Sequence, residues 1–242
     1  MQEVIVRVKN KEQLAAVIDR SDVAGLILES GAFHVPETGK KIWAALPDVA
    51  REKKLEPIEK MIDKGRNYGF LVRNFDELEM LKGYEGPVIG DSFLYAYNAE
   101  AIAFYRSLFP QMEFIAPDEL TDSEMESLEQ AAGIEFIYKV YGYQQLMITN
   151  QCMNRNYFAC QEPCVKFSDD KGNDFYMTSE CGQCLDIVYN GLPTSMLDKD
   201  VRRSKILYDF TLESAAEVTR ILDEGSSAVK SYTRGHHYKG ID

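Results

Sequence analysis

The chain has 242 residues, 45% of them hydrophobic, with a formal net charge of −12 and a pI of about 4.8. That is enough apolar material for one large domain with a real core. The acidic balance argues against a broad nucleic-acid or anionic-membrane footprint, and leaves room for a local basic patch or for RNA contact made by a region outside this sequence.

Taken in order, the chain alternates short apolar runs with amphipathic ones. Val4–Val8 is a β-branched run, and Lys11–Ile18 follows with helical spacing at Leu14, Val17 and Ile18. Gly25–Glu29 and Ile42–Leu46 read as the next two strands. The stretch between them, Ser30–Lys40, holds Gly31, Pro36 and Gly39 and does not read as a helix. Arg51–Lys64 places Leu55, Ile58, Met61 and Ile62 on one helical face. Gly69–Arg73 is a fourth strand, followed by a short helix over Asp76–Leu81 with Asn74 as its N-cap. Pro87–Gly90 is a fifth strand, with Asp91 at its end, and Ala99–Leu108 a helix. Glu113–Ala116 is a sixth strand, and Ser123–Ala132 a helix capped by Thr121 or Ser123. Glu135–Tyr141 is a seventh strand. Lys205–Phe210 is an eighth, with its helix over Glu213–Leu222.

Regular β–α alternation predicts a parallel sheet with helical crossovers. Eight such units in this length predict a (β/α)8 TIM-like barrel, a single domain over 1–242 with a cysteine-rich insertion at 150–197 between strands seven and eight. The alternative is an open doubly wound sheet, but no GxGxxG follows the first strand. On the barrel reading, Arg73, Asp91, Tyr141 and Asp209 stand at strand ends around one mouth, and the insertion projects from that mouth.

No run of about 18 apolar residues occurs, so no transmembrane helix is expected. The N-terminal MQEVIVRVKNKEQL lacks signal-peptide architecture, and the expected location is cytoplasmic.

All five cysteines, Cys152, Cys160, Cys164, Cys181 and Cys184, fall inside the insertion. An odd, clustered set in a chain without a secretory signal points to metal ligation before disulfides. In Cys181-Gly-Gln-Cys184 a short turn lets two thiolates face one centre. Cys152 and Cys160 supply two further corners, and Cys164 is surplus or replaces one of them. Zinc and a four-iron cluster both take four such ligands, and spacing does not choose between them. A redox pair and reduced structural thiols are the plainer alternatives. Asp169–Asn173 reads as a tight hairpin turn. His34, His236 and His237 are the only histidines, and no pair has helical metal-ligand spacing. The run Tyr232–Gly240 is basic and aromatic; it either folds over the mouth to bind an anion through Arg234 and His236 or is a solvated tail. Neither GxSxG nor HExxH occurs.

Several of these segments together resemble a known family. Leu146–Thr149, the Cys152/Cys160 pair, Lys171–Phe175, Cys181–Cys184, Tyr189–Pro193, Asp209–Thr211 and Thr233–His236 match in order, with Leu71–Asn74, Asp91 and Tyr97-Asn98 upstream. They resemble the collagenase-like peptidase family U32, in a later portion of its longer bacterial members. Two details differ: the family's usual Asp-Arg before the glycine turn is Asp170-Lys171 here, and the spacing around Cys160 is not that of its hydroxylase branch. The resemblance implies a barrel and a peptidase label. It also implies relatives that act in RNA base hydroxylation or oxygen-independent ubiquinone hydroxylation with a four-cysteine iron–sulfur (4Fe-4S) cluster. By position the cluster ligands are Cys152, Cys160, Cys181 and Cys184, and Cys164 is extra. Three expectations follow. The first is an iron–sulfur enzyme acting on RNA or a related substrate, in which Arg73 and Arg234 hold an anionic group beside Asp91, Asp209 and His236. The second is a peptidase acting on a peptide. The third is a non-catalytic barrel with a zinc knuckle, supporting a catalytic partner domain of a longer chain.

Overall fold

The computed structural model describes residues 2–29, 38–49, 60, 68–152, 164–180 and 184–240. Eight short strands form parallel ladders with one another: β1 (Glu3–Val8), β2 (Gly25–Leu28), β3 (Lys41–Ala45), β4 (Gly69–Val72), β5 (Val88–Gly90), β6 (Glu113–Phe114), β7 (Tyr138–Gly142) and β13 (Lys205–Asp209). A ninth, β12 (Thr194–Ser195), pairs antiparallel with β7. The sheet order is β12-β7-β13-β1-β2-β3-β4-β5-β6. Strands β2, β4 and β5 are buried at every residue, as continuous apolar runs in parallel sheets are.

The expected (β/α)8 barrel is corrected to a curled, mostly parallel sheet whose ladder stays open. Its two ends meet only at one bridge, Ile115 with Ile137. Two features of the backbone account for this. β6 has just two residues, too few for a second ladder. The outer edge of β7 is also shared: β12 takes Tyr141 and Gly142, and the Met196 amide donates to the Val140 carbonyl at 2.8 Å. Nor does a helix follow each strand among the described residues. There are five α-helices: α1 (Lys11–Val17), α2 (Phe75–Met80), α3 (Ala99–Leu108), α4 (Asp122–Ala132) and α5 (Ala215–Glu224). Residues 30–37, and the predicted helix over Arg51–Lys64 apart from Lys60, lie outside the described residues. No described helix is long and apolar enough to cross a membrane.

Local chemistry sets the helix starts. The Asn74 side chain accepts from the Glu77 amide, and Thr121 and Glu124 form a reciprocal capping box. Ser214 and Glu217 repeat that box at α5.

The core has three parts. Ile5, Ile27, Trp43, Leu71, Ile89, Ile115, Ile137 and Leu207 fill the concave side of the curl. Phe70, Val72, Phe114 and Val140 pack outward against α2, α3 and α4. Val6, Leu26 and Phe210 pack outward against α1 and α5. Successive strand residues point to opposite faces, so one strand feeds both layers.

The cysteine-rich segment carries strands of its own. Its described part is a four-stranded antiparallel sheet, ordered β8-β11-β10-β9: β8 (Gln145–Thr149), β9 (Cys164–Ser168), β10 (Asp174–Glu180) and β11 (Leu185–Asn190). The predicted turn joins β9 to β10. There Asp169 Oδ1 accepts from the Lys171 and Asn173 amides at 2.9 and 2.8 Å.

Candidate functional site

The site follows from the two-residue period of the strands. Ile5, Ile27, Leu71, Ile89, Ile137 and Leu207 face the concave core. Two residues further along each strand, on the same face and one layer up, stand Arg7, Glu29, Arg73, Asp91, Lys139 and Asp209. The carboxyl ends of the parallel strands thus carry a buried ring of ionisable groups over an apolar floor.

Two guanidiniums organise the ring. Arg7 reaches Asp91 Oδ2 at 2.6 Å, Asp209 Oδ2 at 3.1 Å and Glu29 at 3.5 Å. Arg73 donates from Nε to the same Asp91 oxygen at 3.0 Å and from a terminal nitrogen to the Leu46 carbonyl at 3.0 Å. It also pairs with Glu29 and, at 3.3 Å, with Asp48. Lys139 pairs with Asp118 at 2.5 Å.

Burial alone would raise Asp91, but Arg7 and Arg73 override it and hold the carboxyl at about 2. Burial pushes Asp209 above the usual carboxylate range, against the pull of Arg7 and Lys139. Burial opposes the charge on Arg7, yet Asp209, Asp91 and Glu29 outweigh it and raise the group. One acid is therefore locked ionised, and its neighbour is poised to hold a proton. Asp209 Oδ1 is buried without a hydrogen-bond partner among the described residues, which leaves it open to a water or substrate atom.

The four-stranded sheet roofs this ring. Lys9 spans the gap, contacting the Tyr189 hydroxyl at 3.2 Å, Thr178 Oγ1 at 3.4 Å and Glu180 at 3.6 Å. Burial raises Glu180 above its usual range. The enclosed space is about 20 Å³, bordered by Arg7, Arg73, Lys139, Asp209, Glu180 and Tyr189 among others. That is room for about one water. An anion reaching Arg73 must therefore displace Glu29 or Asp48, because their carboxylates already occupy its fork.

Of the sequence-derived site residues, Arg73, Asp91 and Asp209 are brought together here. Arg234 and His236 are not. Arg234 forms a two-pronged pair with Asp198, both bonds 2.6 Å, and donates to the Ser195 carbonyl at 2.6 Å. His236 Nδ1 contacts the Lys239 carbonyl oxygen at 3.1 Å. The terminal run lies along β12 through the Thr194–Thr233 bridge and along α4 through His237, whose Nδ1 is 2.8 Å from Asp122. Arg7, Lys9, Glu29, Asp48, Asp118, Lys139, Glu180 and Tyr189 had not been singled out. The signal for Arg7, Glu29 and Lys139 was present: an ionisable residue two places after an isoleucine inside a strand.

The three described cysteines lie at one end of the small sheet. Thr149 pairs with Asp186, Glu180 with Leu185 and Cys164 with Thr178. Cys152, just past β8, Cys184, just before β11, and Cys164, opening β9, therefore share the end that also carries Glu180 of the ionic cavity. Cys152 is buried, whereas Cys164 and Cys184 are exposed. Cys184 has φ of 54°, a left-handed backbone that only Tyr95 shares among described non-glycine residues. Cys160 and Cys181 lie outside the described residues. Among the described residues no three His, Cys, Asp or Glu side chains stand together as a metal site. The soft thiolate donors at this end suit an iron–sulfur cluster or zinc, so the donor chemistry fits the implied group.

In comparisons with known proteins, no family model matches the chain, and no curated protein matches it.

Proposed function

We propose that this chain is an iron–sulfur enzyme of the kind its motif resemblance implies, acting in hydroxylation of RNA or a related substrate. The observation that carries the reading is the shared end of the small sheet: Cys152, Cys164 and Cys184 lie where β10 delivers Glu180 to the ionic cavity. Cys152, Cys160, Cys181 and Cys184 would hold the cluster, which supplies electron transfer or a binding point for an oxygen-bearing donor when present.

The chain's own residues do the rest. Arg7 and Arg73 keep Asp91 ionised and fix the geometry of the mouth. Asp209, shifted by burial toward its protonated form, would exchange a proton through its unpartnered Oδ1. The roof of Glu180, Tyr189 and Lys9 limits water to about one molecule.

The peptidase reading has less to rest on. The hydroxyl of Ser92 is 3.4 Å from Asp91 and 3.5 Å from Asp118, and no histidine borders the cavity among the described residues.

The test is anaerobic purification followed by metal, sulfide and visible-absorbance measurements. Brown protein with about four irons per chain, lost in Cys184→Ser, supports the reading. Colourless protein with one zinc per chain supports a structural thiolate site instead. Unchanged iron in Cys184→Ser assigns the corner to Cys164.

A further inference from the structure

A second space, far larger than the ionic cavity, opens between the small sheet and α5. Its volume is about 420 Å³, within the range of small-molecule sites. Tyr143 borders both spaces, so the two sites share one wall. Tyr143 and Tyr176 form an aromatic side, their rings edge to face at 5.8 Å. The floor is Tyr141 and Glu213, 3% and 6% exposed. Glu213 spends one oxygen, Oε2, on the Thr211 and Leu212 amides at 2.8 and 3.0 Å. Its other oxygen, Oε1, is buried with no partner of hydrogen-bonding geometry among the described residues, an arrangement that favours an N–H donor arriving from outside. At the rim stand Arg220 and Lys230, both exposed. Neither has a carboxylate partner among the ion pairs of the described residues. Lys166 also lines the cleft, but Asp174 takes its charge at 2.7 Å.

Aromatic faces, a buried acceptor and unpaired cations in one cleft match a flat heterocycle with N–H donors joined to an anionic group. We infer that this cleft binds a nucleotide unit. The base stacks on Tyr176 and Tyr143, its N–H edge meets Glu213, and its phosphate lies toward Arg220 and Lys230. A guanine-type edge suits, because either of its adjacent N–H donors can serve the one open oxygen, Oε1. The unit is a free nucleotide or one residue of a single strand; the recognition chemistry is the same. This inference does not rest on the iron–sulfur reading: Cys164 lines the cleft, but none of the contacts proposed here involves it or Cys152, Cys160, Cys181 or Cys184.

The experiment is calorimetric titration of the full chain with GMP, guanosine and a guanine-containing single-stranded tetranucleotide. GMP binds one to one, and guanosine about tenfold more weakly. Tyr176→Ala weakens GMP about tenfold or more, the loss of one stacking platform. Glu213→Gln weakens GMP while keeping a carbonyl acceptor for the Thr211 and Leu212 amides. Arg220→Ala removes most of the difference between GMP and guanosine. A tetranucleotide binding far tighter than GMP, with the same dependence on Tyr176, identifies a strand; equal affinity identifies a free nucleotide. Absence of GMP and tetranucleotide binding, or binding indifferent to both Tyr176→Ala and Glu213→Gln in folded protein, overturns the assignment. Metal content is read separately, so loss of the cluster reading leaves this result standing.

Discussion

Replacing Glu213 with Gln should change how the protein's stability depends on pH. Burial raises this carboxyl from 4.5 to about 7, against the pull of the backbone amides and of the nearby Tyr141 hydroxyl. The folded state therefore keeps the proton over a pH range in which the unfolded chain has released it. Stability falls as pH rises from 4.5 to about 7, and the loss is complete above that range. Linkage across this interval gives a penalty of about 2–3 kcal/mol accumulated between pH 5 and 8. Gln keeps an acceptor for the Thr211 and Leu212 amides, and its amide nitrogen falls where Oε1 lacks a partner. It cannot ionise. The assay is urea unfolding of both proteins at pH 5, 6, 7 and 8. The stability difference should shift toward the variant by about 2–3 kcal/mol across that series. Groups without electrostatic coupling to Glu213 titrate equally in the two proteins and cancel; Asp209, which is coupled to it, does not. Parallel curves would refute the claim that this carboxyl is buried and raised.

Two further substitutions probe the site and its frame. Arg7→Met takes from Asp209 its ion-pair partner and leaves Asp91 with Arg73 alone, and should cost about 3–5 kcal/mol in urea unfolding; a loss under about 1 kcal/mol would mean the ring tolerates the loss of one guanidinium. Gly142→Ala would put a Cβ 2.8 Å from Asp209 Cβ and 2.9 Å from its carbonyl oxygen. It should cost about 1–3 kcal/mol and disturb Asp209, seen as a changed titration of that carboxyl by NMR.

Much of the fold was legible from local pattern. Val4–Val8, Gly69–Arg73 and Lys205–Phe210 announced buried strands through β-branched and apolar runs, because a parallel strand covered on both faces has little room for polar side chains. Asn74 and Thr121 announced helix starts, because each satisfies an orphan amide within three residues of itself. The Asp169–Asn173 turn was legible for the same reason.

Contacts between distant segments were not. The two-residue β12, separated from β7 by the whole cysteine-rich segment, takes the edge that ring closure would have used. The polar composition of that segment hid a sheet whose outer strand β9 is largely exposed, its ladder formed by backbone groups that any residue carries. Arg234 was a candidate for anion binding until Asp198, 36 residues earlier, proved to be its partner. Periodicity and caps are properties of neighbours along the chain, so the amino-acid sequence alone determines them. Which carboxylate meets which guanidinium depends on strand order, and strand order exists only once distant edges compete for the same hydrogen bonds.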